Sequence, residues 1–414
     1  MPPSRARIGL ALAGGGPLGA VYEIGALCAL EESIDGLNLT ALDGYVGVSA
    51  GGFVAAGLAN GMSPRSLCTA FIESGRGRRD AIDATLFVRP AWGEFARRAR
   101  TLPRLVAQAA YQVAFGRRSV LATVERLGRA LPTGLFSNAP LEAAMRRLLG
   151  APGRTNDFRQ LRHRLVLVAT DLDSGAAAPF GLPGWDHVPI SQAIAASAAL
   201  PGLYPPVCID GRWYVDGALK KTLHASVLLD MPLDLVICLN PLVPFDASLS
   251  SRHRVLSMGE PRIPRLVEGG LPVVMSQTFR SLIHSRLELG MKGYEASHPA
   301  TDVLLFEPDH RDPEMFLANI FSYAQRQRLA EHAYQRTRAH LRSRRTVLCA
   351  QLRRHGLSLN DEVLDDSRRT LVRRRPQVRN RSAVTLRRLD EVLDDLDRAL
   401  ALHEGRSSSS RTGR

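Results

Sequence analysis

The segment from Ile8 to Leu30 constrains the fold more than any other. Ile8-Gly-Leu-Ala-Leu12 is a short apolar run that passes straight into Gly14-Gly15-Gly16-Pro17-Leu18-Gly19. Beyond the glycines, Val21, Ile24, Leu27 and Cys28 or Leu30 recur at helical spacing. A buried strand, a tight turn and a helix satisfy that pattern. Arg5 and Arg7 ahead of it imitate the charged start of a secretory signal. Five glycines precede Glu23, however, and Glu23 breaks the apolar stretch, so strand–turn–helix is the better reading. No stretch of the chain reads as apolar and uninterrupted enough to span a bilayer. The expected location is therefore cytoplasmic, peripheral on the membrane.

The same rhythm recurs downstream. Tyr45 to Val48 reads as a strand ending on Ser49, and the small-residue helix from Ala50 to Ala59 stops at Asn60-Gly61. Arg164 to Ala169 is a third strand, followed by a loop with Asp171 and Asp173. A small-residue helix from Ser191 to Ala199 ends at Leu200-Pro201-Gly202, and Trp213-Tyr214-Val215 leads into Asp216. Leu233 to Leu239 and Asp302 to Phe306 are further strands. Strands alternating with helices imply an α/β domain with a mostly parallel sheet. In such sheets, working residues collect beyond the carboxyl ends of the strands, where the motifs fall.

Three of these turns carry chemistry. Gly14, Gly15 and Gly16 open a helix, so their N–H groups are unpaired, lie at the positive end of its dipole and can hold a developing oxyanion. Gly14, Gly16 and Gly19 also satisfy a dinucleotide fingerprint, but the second strand ends on Ser49 and not on an acid. Gly47-Val-Ser49-Ala-Gly51 places a serine between glycines, which permits the strained strand-to-helix turn that exposes a nucleophile. The bland alternative is a serine in a tightly packed turn. A serine needs a base. His163, His187 and His224 are candidates, yet none lies in a recognisable loop after a strand with an acid partner. Asp216, followed by Gly217 and Ala218, ends a strand and suits a carboxylate that takes the serine proton directly. Asp171 and Asp173 read as loop-ordering residues. Lys220 and Lys221 read as solvated charge or as contacts for anionic headgroups.

Taken in order, these blocks resemble the patatin-like phospholipase family. The resemblance covers roughly residues 6 to 245. It includes Leu12-Ala13-Gly-Gly-Gly, Gly47-Val-Ser49-Ala-Gly51, Val168-Ala-Thr-Asp171-Leu, Ser197-Ala-Ala-Leu-Pro201-Gly, and Pro205-Pro206-Val207 ahead of Asp210-Gly211 and Asp216-Gly217-Ala218. It implies a three-layer α/β/α sandwich with Ser49 as nucleophile, Asp216 as proton acceptor and Gly14, Gly15 and Gly16 as the oxyanion hole. Gly19, Gly47, Gly51, Gly217 and Ala218 would support those motifs. The implied reaction is hydrolysis of fatty acyl esters of phospholipids or other acyl lipids through an acyl-serine, with no cofactor and no metal. An acyltransferase or thioesterase on the same fold is the alternative, as is a catalytically weak lipid-binding protein. Two positions depart from the family pattern. Leu18 stands where a cation is common near the glycine motif, and Thr222 and His224 stand where Asn and Pro are common after the dyad aspartate.

The remaining sequence sets the surroundings. The net charge is +14 across 414 residues, and Lys220, Lys221 and Lys292 are the only lysines. Such a surface attracts anionic lipid. Residues 76–135 read as a basic insertion in which Leu102, Leu105, Val106, Ala109 and Val113 share one helical face, a lid or a helix packed on the domain. A helical extension over 246–355 follows, with a strand near 302–306, and then an Arg-rich helical and disordered tail over 356–414. Arg368 to Arg388 contains nine arginines without an acid. The hexapeptide Asp-Glu-Val-Leu-Asp-Asp at 361–366 and 390–395 reads as acidic helix turns that pair with them. Nucleic acid is not the expected partner, because the arginine run has no aromatic residues for base stacking. The five cysteines, Cys28, Cys68, Cys208, Cys238 and Cys349, have no metal-ligand spacing and read as small buried hydrophobes in a reducing compartment.

Overall fold

The apolar run Ile8–Leu12 forms strand β1, buried at every position, at the centre of the sheet. The computed structural model describes residues 5–73, 84–115, 130–247, 265–317 and 323–372. A two-residue strand, β2 (Ile34–Asp35), lies outside the main sheet. The main sheet is completed by β3 (Gly44–Val48), β4 (Arg164–Asp171), β5 (Ala177–Phe180), β6 (Val207–Ile209), β7 (Arg212–Asp216), β8 (Leu235–Leu239) and β9 (Asp302–Phe306). Its order is β6-β7-β4-β3-β1-β8-β9, with β5 also paired to β4. The five strands from β4 to β9 are parallel, and β5, β6 and β7 are antiparallel additions. The sheet is mixed and mostly parallel, as the motif rhythm implies.

Alternation along each strand sends side chains into two cores. Leu10, Leu12, Tyr45, Leu165, Leu167 and Ile237 face one side. Ala11, Val46, Val48, Val166, Val168 and Val236 face the other. The first face is covered by α1 (Gly16–Ser33) and α2 (Ala50–Ala59), with α3 (Pro64–Cys68) alongside. Next along the chain come α4 (Trp92–Phe115), α5 (Ala139–Leu149) and α6 (Ile190–Ser197). The second face receives α7 (Ser226–Leu229) and, through Leu287, the long α8 (Gly270–Ser297). Helices therefore flank the sheet on both sides.

Helix α1 is buried nearly all round because it has a second cover. After α9 (Pro313–Leu317), α10 (Tyr323–Ser343) packs along its outer side, so closely that a Cβ on Gly25 would lie 2.5 Å from the Ala330 carbonyl oxygen. Tyr334 of α10 donates to Glu32 of α1 at 2.7 Å. Glu23 is sealed into α1 with neither carboxyl oxygen hydrogen-bonded, and burial pushes its pKa well above the usual carboxylate range. The chain then forms α11 (Arg345–Arg354), β10 (Ser358–Leu359), which pairs antiparallel with β2, and α12 (Asp361–Asp365).

Several expectations change at this level. The boundary near residue 245 does not separate a structural unit, because β9 is a sheet strand beside β8 and residues through Val372 cluster with the rest. The helical extension expected over 246–355 holds α8, α9, α10 and α11 among its described residues. The first acidic hexapeptide becomes α12, but Asp361 and Asp365 pair with Arg345, upstream of it, at 3.2 and 2.9 Å. The second hexapeptide and the arginine run beyond Val372 lie outside the described residues. Cys208 is exposed on edge strand β6, unlike buried Cys28, Cys68 and Cys238. In the basic insertion, α4 carries Leu102 on its exposed surface and Leu105 half-buried; the side chains of Val106, Ala109 and Val113 lie outside those described. No helix among the described residues is long and apolar enough to cross a membrane.

The α1–α10 contact yields a prediction. Gly25→Ala forces a Cβ against a backbone oxygen that cannot swing away, so the variant should lose about 1–3 kcal/mol of stability. Urea denaturation would show this as a lower midpoint with an unchanged slope.

Candidate active site

Sheet register brings Ser49 and Asp216 to one level. Val48 pairs with Val168 on β4, and Asp216 pairs with Ala169, the next residue along β4, from the other side. The backbones that carry the two residues are thus two strands apart, about 10 Å. Their side chains approach across that gap, near enough for Ser49 to lower the Asp216 carboxyl pKa.

Ser49 caps α2 with φ 53° and ψ −122°, a left-handed value for a residue bearing a Cβ. Such a conformation costs of order 1–3 kcal/mol and persists only where its surroundings enforce it. Enforcement comes from hydrogen bonds on every side. Gly51 N–H donates to the Ala13 carbonyl at 3.2 Å, and Gly52 N–H donates to the Ser49 carbonyl at 3.0 Å. The Ser49 N–H donates to Ser197 Oγ at 2.8 Å, and Ser197 Oγ donates to the Val168 carbonyl at 2.6 Å. The flanking glycines are required sterically. A Cβ on Gly47 would lie 2.5 Å from Gly52 Cα, and one on Gly51 would lie 2.6 Å from the carbonyl oxygens of Leu12 and Ala13.

The glycine turn after β1 meets this elbow. A Cβ on Gly14 would lie 3.0 Å from Ala218 Cβ, 3.1 Å from Ser49 Cβ and 3.7 Å from Ser49 Oγ. Motifs 35 to 204 residues apart in sequence therefore touch at one point, and the absence of a side chain at Gly14 makes room for it. Gly15 packs against Gly19 Cα and Pro241 Cγ, each 2.7 Å from where its Cβ would stand. Gly16 has φ +59° with open space around it. The N–H groups of Gly14, Gly15 and Gly16 have no hydrogen-bond partner among the described residues, as the start of a helix leaves them. Leu18, in the position where the resemblance leads one to expect a cation, is half-buried against the core.

Asp216 is buried, and its Oδ1 accepts the Ala218 N–H at 2.9 Å. Its own N–H donates to the Ala199 carbonyl at 3.0 Å. Burial pushes its pKa up to about 6, opposed by the nearby Ser49 and by the hydrogen bond from Ala218. Gly217 has no room for a side chain, since a Cβ would stand 2.2 Å from the Val168 carbonyl oxygen.

The two departures after Asp216 have structural partners. Thr222 donates to the Ile283 carbonyl of α8 at 2.8 Å, which ties the loop to the covering helix. His224, at φ 47°, places Nε2 3.3 Å from the Gly217 carbonyl, and burial pulls its pKa down to about 4. At neutral pH it is an uncharged donor bracing the turn. The other histidines are elsewhere: His187 pairs with exposed Asp210, and His163 packs against the Tyr45 ring. Asp171 accepts the N–H groups of Asp173 and Ser174, both at 3.0 Å, and so orders its own loop.

Ser197, which motif reading includes in a block without giving it a role, is the residue that braces the elbow. Its signal is visible afterwards, as the polar residue that ends the helical Ala-Ile-Ala-Ala run just before Leu200-Pro201-Gly202.

This α/β architecture, with a strained serine elbow facing a glycine turn, defines a class of lipid hydrolases. The chain belongs to the patatin-like phospholipase family, whose model matches residues 10–229. Among solved structures, VipD from Legionella pneumophila is similar at 16% identity and a TM-score of 0.36, over 82% of this chain and 67% of that one. ExoU, in complex with SpcU from Pseudomonas aeruginosa, matches at 22% identity and a TM-score of 0.25, over 70% and 52%. Human GIVD cytosolic phospholipase A2 matches at 15% identity and a TM-score of 0.28, over 83% and 59%. The chain spans about half to two thirds of the length of these neighbours.

Ser197→Ala removes both the acceptor for the Ser49 N–H and the donor to the Val168 carbonyl. The expected cost is about 1–3 kcal/mol of stability for groups left unpaired. If the elbow depends on this bridge, kcat on a soluble ester should fall together with the denaturation midpoint.

Proposed function

We propose that this chain is a serine lipid acyl hydrolase that cleaves fatty acyl esters through a Ser49–Asp216 dyad. The observation that supports the reading is the approach of Ser49, the turn that opens at Asp216 and the unpaired N–H groups of the glycine turn to one another. Asp216 takes the hydroxyl proton as Ser49 Oγ attacks the ester carbonyl carbon. The carbonyl oxygen becomes negative and faces the N–H groups of Gly14, Gly15 and Gly16, which are already oriented and need no reorganisation. Collapse breaks the bond to the alcohol, and Asp216 returns the proton to that leaving oxygen. An acyl-Ser49 ester remains. The carboxylate then takes a proton from water, the resulting hydroxide attacks the acyl carbon, and the fatty acid departs as Ser49 regains its hydrogen.

The pKa of about 6 supports Asp216 as this base. A base works best when its pKa lies near the working pH, where it is mostly ionised and still basic enough to accept a proton. An ordinary aspartate is ionised but too weakly basic; burial supplies the difference. Leu18 leaves the donors intact, because they are backbone groups. The substrate class in this reading is a phospholipid or related acyl lipid, with the +14 charge favouring an anionic membrane surface as the place of encounter.

The decisive experiment is acyl release from phospholipid vesicles and from a soluble short-chain ester. Ser49→Ala and Asp216→Asn should each abolish both activities while remaining folded. Activity that survived Ser49→Ala would overturn the dyad. In wild type, kcat/KM should rise with pH through an apparent pKa near 6, as Asp216 loses its proton.

Stability should move the opposite way. The folded protein holds the Asp216 proton more tightly than the unfolded chain, so stability is highest below the ordinary aspartate pKa and is lost as pH rises to about 6. The gap corresponds to about 3 kcal/mol. Asp216→Asn should therefore be more stable than wild type at pH 8 and similar at pH 4, as read from denaturant midpoints. A variant that is inactive yet more stable separates lost chemistry from lost folding.

Gly15→Ala tests the oxyanion turn. Its Cβ would press on Gly19 and Pro241 and displace the donors, with an expected loss of about 100- to 1000-fold in kcat. KM for the soluble ester should change far less.

A further inference from the structure

A second cavity opens behind the turn that follows Asp216, on the sheet face opposite α1 and α2. Its volume is about 350 Å³, within the range of small-molecule sites. Lys220, Lys221 and Arg164 all reach it, and none of the three pairs with a carboxylate among the described residues. One acid, Asp230, shares the lining. Lys220 Nζ donates to the Gly175 carbonyl at 2.5 Å, and Lys221 Nζ stands 3.4 Å from Ser226 Oγ, so the two ammonium groups are held at this rim. Two of the chain's three lysines therefore border one concave surface, neither in an ion pair among the described residues.

The residues that line the cavity differ from one side to the other. The lysine end lies beside Gly175 and the β4–β5 turn. The far end is marked by Arg164, the first residue of β4, and by Met231, which packs on Gly44, the residue paired with Arg164. Four residues of strand separate Val168 from Arg164, about 13 Å. Between the ends the partly exposed apolar wall is formed by Ala177, Leu182 and Val227. His224 adds no charge, since burial keeps it neutral.

We propose that this groove is a second ligand site, separate from Ser49, for an anionic amphiphile: a carboxylate or phosphate head at Lys220, Lys221 and Ser226, and an acyl tail along Leu182 and Val227 towards Met231. The head neutralises two cations that the protein leaves unpaired, and the tail covers apolar wall that faces water. A bare anion would satisfy the first requirement and leave the second unmet. The site also adjoins the dyad. The Gly217 carbonyl accepts the N–H groups of Lys220 and Lys221, at 3.1 and 3.4 Å, and faces His224 Nε2. A head bound there sits on the turn that follows Asp216.

The site does not depend on hydrolysis, so it is tested in the Ser49→Ala protein, where no turnover consumes the ligand. Isothermal titration would use decanoate, a short-chain lysophosphatidate, inorganic phosphate and neutral dodecyl maltoside, each below its micelle concentration. Decanoate or the lysophosphatidate should bind at a site that depends on the two lysines, and the stronger of the two identifies the head. Lys220→Gln with Lys221→Gln should weaken that binding at least tenfold. Inorganic phosphate binding as tightly as the amphiphiles, or maltoside binding equally well, would overturn the proposal. A diazirine-bearing fatty acid supplies the second readout in the chain with both lysines intact. Labelling of Leu182, Val227 or Met231 supports the groove; labelling confined to the surroundings of Gly14 and Ser49 overturns it.

Discussion

The structure depends on the approach of three bare backbones around Ser49. Gly51 lies against the carbonyls of Leu12 and Ala13, Gly47 lies against Gly52, and Gly14 leaves open the space between Ser49 and Ala218. A side chain at any of these positions would push the serine elbow away from the glycine turn. Dense interiors transmit such displacements because they contain few voids to absorb them. The strain at Ser49 is sustained by the same contacts, since the Gly51–Ala13 and Ser49–Ser197–Val168 hydrogen bonds hold the backbone where a free chain would not stay. Reactive geometry and tight packing are thus one feature.

Burial then tunes the chemistry. Asp216 is buried, with the Ala218 N–H donating to its carboxyl and Ser49 beside it. Desolvation dominates and raises the carboxyl to about 6. His224 shows the same physics with the opposite sign: burial lowers its pKa and leaves it a neutral brace beneath the turn. The cost is stability at neutral pH, which the extensive two-sided core must offset. Function is placed where local energy is unfavourable and the surroundings are rigid.

Much of this was legible in the sequence because strand and turn signals are local. The runs Ile8–Leu12 and Tyr45–Val48, the stop at Asn60-Gly61 and the strand at Asp302–Phe306 need only hydrophobic patterning and turn residues to be read. The resemblance to the patatin-like phospholipases rested on the same local blocks, and the family match spans most of them. What escaped was long-range. The pairing of β9 with β8, the cover of α10 on α1, and the choice of Arg345 as partner for Asp361 and Asp365 depend on which surfaces meet in space. Arginines near the hexapeptide in sequence were equally plausible partners, since charge alone carries no address.

By itself, then, the sequence determined which residues are capable of chemistry: a serine between glycines, an aspartate at a strand end and a helix opened by three glycines. Covalent composition and local backbone preference suffice for that. Only the tertiary structure decided that these groups meet, that Ser197 rather than a nearer residue holds the Ser49 N–H, and that Asp216 is sealed from water. It also decided that Lys220 and Lys221 border a groove. Distances across a sheet follow from register, and desolvation follows from what packs on top. Both are properties of the whole chain, so no segment of the sequence carries them alone.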